Sequence, residues 1–243
     1  MNTPHALSPF DASAFDFDGA AGLPDFSKLA ADRFEPAFEA AMARHADEIS
    51  AIADADAPAS FDNTVAAMER AGGLLRRVSA TFHALAGANT DDALQAVERA
   101  VSPRLSRHFS AISLNAALFA RIDALYEARD TLGLDAESLR LLERMHLSFV
   151  RSGARLVGGD RDRLAAINAR LSELGTAFSQ NVLADEKSYA LPVPDAALDG
   201  LPTWLVAAMA EAAEERGTTG HVVTLSRCLL YTSPSPRDQR GSR

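Results

Sequence analysis

Chemistry in a protein needs groups that ligate, ionise or attack, and this 243-residue chain arranges few of them together. Glu143 and His146 stand three apart, the Glu-x-x-His step that supplies metal ligands in carboxylate-bridged helical bundles. Such a bundle needs the step twice and two further glutamates, and here it occurs once. His146 also shares a helical face with Leu142 and Phe149, the position of a core histidine. Of the other histidines, His45 lies on an apolar face, His83 and His108 sit beside one, and His5 and His221 lie outside the helices. The sequence holds no His-Glu-x-x-His, no glycine-rich phosphate loop after a strand and no Gly-x-Ser-x-Gly turn. Cys228 is the lone thiol, which excludes an internal disulfide framework and a multi-cysteine zinc or iron–sulfur site. One charge pattern stands out. Arg140, Arg144, Arg151 and Arg155 recur at steps of four, seven and four, within a narrow arc of one helix face. Guanidinium groups so placed can grip a carboxylate, such as a peptide C-terminus, or an acidic partner. The commoner arrangement is a solvated face paired with acidic residues on a neighbouring helix.

The elements that carry these residues are helical. Phe34, Phe38, Met42, His45, Ile49 and Ile52 step by threes and fours, which predicts a helix from about Asp32 to the Asp54–Pro58 break. A second helix is expected over Asp62 to Ala86, with Gly72-Gly73 as a close-packing or flexible point. Thr90 is the expected cap of a third, kinked at Pro103; Asn115 of a fourth; Asp135 of a fifth, ended by Gly158-Gly159. Asp160 opens a sixth, with Leu164, Ile167, Leu171, Leu174, Phe178 and Val182 on its apolar face. A seventh covers Pro202 to Arg216, after a break at Leu191-Pro-Val-Pro194. Strand character is confined to His221–Leu225. The expected fold is all-α: an array of about seven long amphipathic antiparallel helices, with an extended N-terminal arm and one short C-terminal strand. A lone strand is unstable, so its partners are expected downstream of the chain's end.

Hydrophobic residues make up 47% and charged residues 23%, which is globular composition and excludes wholesale disorder. The net charge of -9 repels phosphate backbones and anionic membranes, so neither nucleic acid nor a membrane is an expected partner. The N-terminus has no basic region, and Asp11, Asp16 and Asp18 break any apolar run, so a cytoplasmic location is expected. A monomer is expected as well.

From Cys228 the character changes. The eleven residues Cys228 to Asp238 resemble an in-frame translation of a sequencing-library transposase adaptor. The expected organisation is therefore an arm over 1–31, a helical region over 32–220, the start of a truncated strand region over 221–227 and a non-native tail over 228–243.

Several segments resemble the opening of the thimet-oligopeptidase family of zinc metallopeptidases. They are Leu23-Pro-Asp-Phe-Ser-Lys-Leu29 with Phe34-Glu-Pro-Ala-Phe38, Phe61-Asp-Asn-Thr64, Ile112-Ser-Leu-Asn115 with Leu118–Ile122, and Leu171–Leu183. Leu132–Ser138 and Phe149–Leu156 are similar to the bacterial peptidyl-dipeptidase branch more than to oligopeptidase A. The resemblance implies a parent enzyme whose helical shell admits short unfolded peptides to a zinc held by a His-Glu-x-x-His helix and a further glutamate. Those zinc ligands and the general base would lie outside this chain. The resemblance thus implies peptide substrates and zinc for the parent, with no catalytic, cofactor or metal residue in this portion, which would be an inactive part of the channel wall. Two other readings stay open: a non-catalytic helical scaffold or binding module, and a metal-storage bundle around Glu143 and His146.

Overall fold

The computed structural model describes Pro24, Phe26 and residues 29–225. Most of the expected arm, and the tail with Cys228, lie outside the described residues. The described chain forms two compact units that divide at Thr176, within one helix.

In the first unit, α1 (Phe34–Ala53) is the central element. It is entered through a 3₁₀ turn, Ala31–Arg33, with no side-chain cap, although Asp32 stands three residues before Glu35, the spacing of a capping box. The expected second helix is split. A π-helical turn, Phe61–Val65, leads into the short α2 (Ala66–Arg70), and α3 (Gly73–Ala88) starts afresh. The start lies one residue earlier than expected because Ser60 and Asn63 form a reciprocal capping box. The chain breaks at Gly72, whose φ of 70° is the left-handed region where glycine carries no Cβ penalty.

α4 (Asp92–Ser113) runs through Pro103 and is capped by Asp91, whose Oδ1 accepts from the Leu94 N–H at 2.7 Å; Thr90 lies one residue too early. α5 (Ala116–Glu127) and α6 (Ala136–Arg151) have the expected caps, Asn115 and Asp135, accepting at 2.9 and 2.8 Å. α6 stops well before the glycine pair at 158–159. Gly153 takes φ 91°, and the Ala154 N–H reaches back to the Phe149 carbonyl, a Schellman ending.

Two apolar clusters fill this unit. At one end of α1, Phe34 and Phe38 meet Phe82 of α3 edge-on at 5.2 and 5.5 Å, with Val78 and Val101 beside them. At the other end, Ile49 and Ile52 pack with Val65, Leu118, Ile122, Leu142 and Phe149. Arg104 of α4 clips the surface of α1 by ion pairs to Glu35 and Glu39 at 2.8 and 2.7 Å. The N-terminal part of α7 (Gly159–Ser188) completes the unit, and it buries little: Ile167, Leu171 and Leu174 are exposed although they form its apolar row.

In the second unit, β2 (His221–Val223) does have a partner. It pairs antiparallel with β1 (Leu191–Val193), in the register Leu191↔Val223, Pro192↔Val222, Val193↔His221. Pro192 and Pro194 make this segment read as a break, yet proline is compatible with an edge strand, where a missing N–H costs no ladder bond. α8 (Thr203–Glu215), which connects the two strands, covers the sheet, burying Leu205, Met209 and Ala213 with Val222. Among the described residues no helix is long and apolar enough to cross a membrane.

Candidate functional site

Glu143, His146, Arg140, Arg144 and Arg151 lie on α6, which packs against α5. Glu143 and His146 each have a protein partner and do not share a metal-binding arrangement. The Glu143 carboxylate takes an ion pair from Arg140 at 3.3 Å. His146 is buried, and its Nε2 bonds Asp123 Oδ1 at 2.8 Å. Its ring stacks on Tyr126 at 3.8 Å with the planes 2° apart, and more loosely on Phe119 at 5.7 Å. Phe119, Asp123 and Tyr126 are spaced four and three along α5, so one helix face supplies the whole seat for the imidazole. The Arg129 guanidinium lies over the Tyr126 ring at 4.4 Å. His146 is therefore the core histidine that its apolar neighbours suggest. Among the described residues no group of three His, Cys, Asp or Glu side chains is placed to hold a metal ion. The described residues do not fit a zinc site.

Asp123 escaped sequence reasoning. The signal was present, since it stands on the same stripe as the buried Phe119 and the half-buried Tyr126, where an unpaired carboxylate would be costly. What the sequence does not show is that His146 faces it from the next helix.

Arg140, Arg144 and Arg151 do share a face of α6, but Arg155 falls in the turn after the helix ends at Arg151, so the expected stripe is one residue shorter, and it is only partly neutralised. Arg140 has Glu143, and Arg155 lies 3.7 Å from Asp123. Arg144 and Arg151 have no hydrogen bond or ion pair among the described residues. The expected pairing with carboxylates of a neighbouring helix thus reduces to the Arg155–Asp123 contact. Clefts run along the stripe. One of about 420 Å³ is bounded by Arg140, Arg144 and Arg155 with Tyr126 and His146 at its side. One of about 210 Å³ lies between Arg144 and Arg151. Another of about 480 Å³ has Arg151 opposite Ser106, Ser110 and Asn168.

A second polar cluster joins α1 to α4. His108 Nε2 and His45 Nδ1 are 3.0 Å apart, one donating and the other accepting. Burial holds both imidazoles below their ordinary value; for His45 the Glu48 carboxylate opposes this and Arg76 adds to it, and for His108 the charge of His45 adds to it. Burial pushes the Glu48 carboxyl up, but the Gly72 N–H and Arg44 outweigh it, and the net displacement is downward. His83 is exposed and its Nδ1 donates to the Ser79 carbonyl at 2.7 Å, and His221 Nδ1 lies 3.4 Å from Asp195. His5 is outside the described residues.

No protein-family model matches the chain. It is 40% identical over 195 residues to the dipeptidyl carboxypeptidase of Escherichia coli (strain K12), covering 80% of this chain and 29% of that protein. Its homologues are peptidases of the thimet-oligopeptidase family. Oligopeptidase A of the same organism is more distant, 26% identical over 205 residues, 84% of this chain and 30% of that protein. A thimet-like oligopeptidase of Dictyostelium discoideum is 26% identical over 146 residues, 59% of this chain and 21% of that protein. The chain thus spans 29% of the length of the curated dipeptidyl carboxypeptidases that it matches. The higher identity to the dipeptidyl carboxypeptidases agrees with the branch resemblance read from Leu132–Ser138 and Phe149–Leu156.

Proposed function

We propose that this chain is the N-terminal region of a zinc-dependent peptidase that hydrolyses short unfolded peptides, releasing dipeptides from their C-termini. The observation that carries the reading is the 40% identity over 195 residues to a dipeptidyl carboxypeptidase. In this reading the helices of residues 32–220 form part of a channel wall, and the zinc ligands and general base belong to sequence beyond this chain. In the same reading residues 228–243 are a non-native tail. This chain alone is then inactive, because it offers neither a His-Glu-x-x-His helix nor a third ligand. The parent acts in the cytoplasm as a monomer, without nucleic acid or membrane partners.

The test compares this chain with a protein extended to the length of its relatives on short peptides, with products read by mass spectrometry. The extended protein should remove two residues at a time from the C-terminus and stop when a chelator is added. This chain should leave the peptides intact. Chelator-sensitive cleavage by this chain would overturn its inactivity, and an extended protein without peptidase activity would overturn the reading as a whole.

A further inference from the structure

We propose that the arginine face of α6 is a docking surface for an acidic, extended segment of polypeptide. At 100° per residue, Arg140, Leu147, Arg151 and Arg144 fall within an arc of about 60°. The surface therefore presents one line of guanidinium groups with an apolar side chain in its middle. Arg140 and Arg151 are eleven residues apart, about 16 Å along the helix axis, the reach of about five residues of extended chain.

Charge complementarity decides the sign of the partner. The chain carries 33 acidic residues against 24 basic ones, yet Arg144 and Arg151 have no carboxylate among the described residues. Each is exposed and borders open clefts, Arg144 those of about 420 and 210 Å³ and Arg151 those of about 210 and 480 Å³, so either guanidinium fork is open to an incoming carboxylate. Leu147, 39% exposed, borders the two clefts on either side of Arg144. An apolar contact between cationic ones suits a peptide with mixed acidic and aliphatic side chains. It offers nothing to a sugar–phosphate backbone, and a polyanion longer than the stripe would meet the negative remainder of the surface.

The test uses the whole 243-residue chain and fluorescence anisotropy at fixed salt. The probes are a labelled octapeptide of glutamates interspersed with leucine and alanine, the same peptide with glutamine for glutamate, and a single-stranded oligonucleotide of equal charge. The acidic peptide should bind, and more weakly as salt rises. The double variant Arg144→Gln/Arg151→Gln should weaken it at least tenfold, and Arg151→Gln alone less. The control Arg163→Gln, on the exposed side of α7, should leave binding unchanged. Circular dichroism checks that each variant keeps its helix content. Absence of binding, equal binding of the glutamine peptide, an equal loss in Arg163→Gln or tighter binding of the oligonucleotide would each overturn the proposal. Binding is read without hydrolysis, so a negative result leaves the peptidase reading standing.

Discussion

The backbone N–H of Gly72 donates to Glu48 Oε2 at 2.7 Å, tying the break between α2 and α3 to the middle of α1. Gly72 holds φ 70°, and a Cβ there would lie 3.0 Å from the His45 ring. Gly72→Ala should therefore destabilise the fold by about 1–2 kcal/mol from the left-handed backbone alone, and more where His45 must shift. Glu48→Ala removes the acceptor and should cost about 1 kcal/mol, with Glu48→Gln milder because its amide oxygen still accepts. Urea denaturation at neutral pH measures all three.

The His45–His108 pair makes stability depend on pH. Burial depresses both imidazoles below 6.5, so between that value and the depressed ones the unfolded chain binds more protons than the native one. Stability should be level above about pH 6.5 and fall as the pH drops through the window below it. The Glu48 carboxyl, held below 4.5, adds a separate loss at still lower pH. His108→Phe should flatten the upper slope, read from denaturant midpoints measured between pH 5 and 8. An unchanged slope would show that this pair is not its source.

His146 and Asp123 test whether the buried imidazole is structural. His146→Ala removes a stacked ring and leaves a cavity beside Tyr126, at a cost of about 3 kcal/mol. His146→Phe keeps the stacking, and Asp123 stays partly solvated with Arg155 near it, so the loss should be about 1 kcal/mol. Added zinc should not raise the melting temperature of the wild-type chain; a concentration-dependent rise would reopen a metal site.

The N-terminus of α4 separates two adjacent candidates. Asp91→Ala should lower stability by about 1 kcal/mol, while Thr90→Ala should have little effect. The reverse order would place the cap where the spacing of the sequence suggested it.

The exposed row of α7 should make the chain associate. Leu171 is 61% exposed and Leu174 49%, and in the second unit Phe178 is 70% exposed. Leu171→Glu/Leu174→Glu should reduce self-association in sedimentation experiments and leave the denaturation midpoint nearly unchanged, because these side chains bury little.

Local signals were legible without coordinates. The threefold and fourfold steps of apolar residues marked the helices, and Asn115 and Asp135 announced their own capping roles, because a cap bonds a backbone group only three residues away. The sequence also told that His146 sits among apolar neighbours and that Arg140, Arg144 and Arg151 share one face, but not that the helix stops before Arg155. Tertiary structure decided what meets across distance. Gly72 became a break because Glu48, twenty-four residues earlier, supplies its acceptor. The segment Leu191-Pro-Val193 became a strand because His221–Val223 lies alongside it. Asp123 became the partner of His146 because α5 and α6 pack together. Periodicity states that a face is apolar; only packing states whether anything covers it, and on α7 the described chain leaves that face open to water.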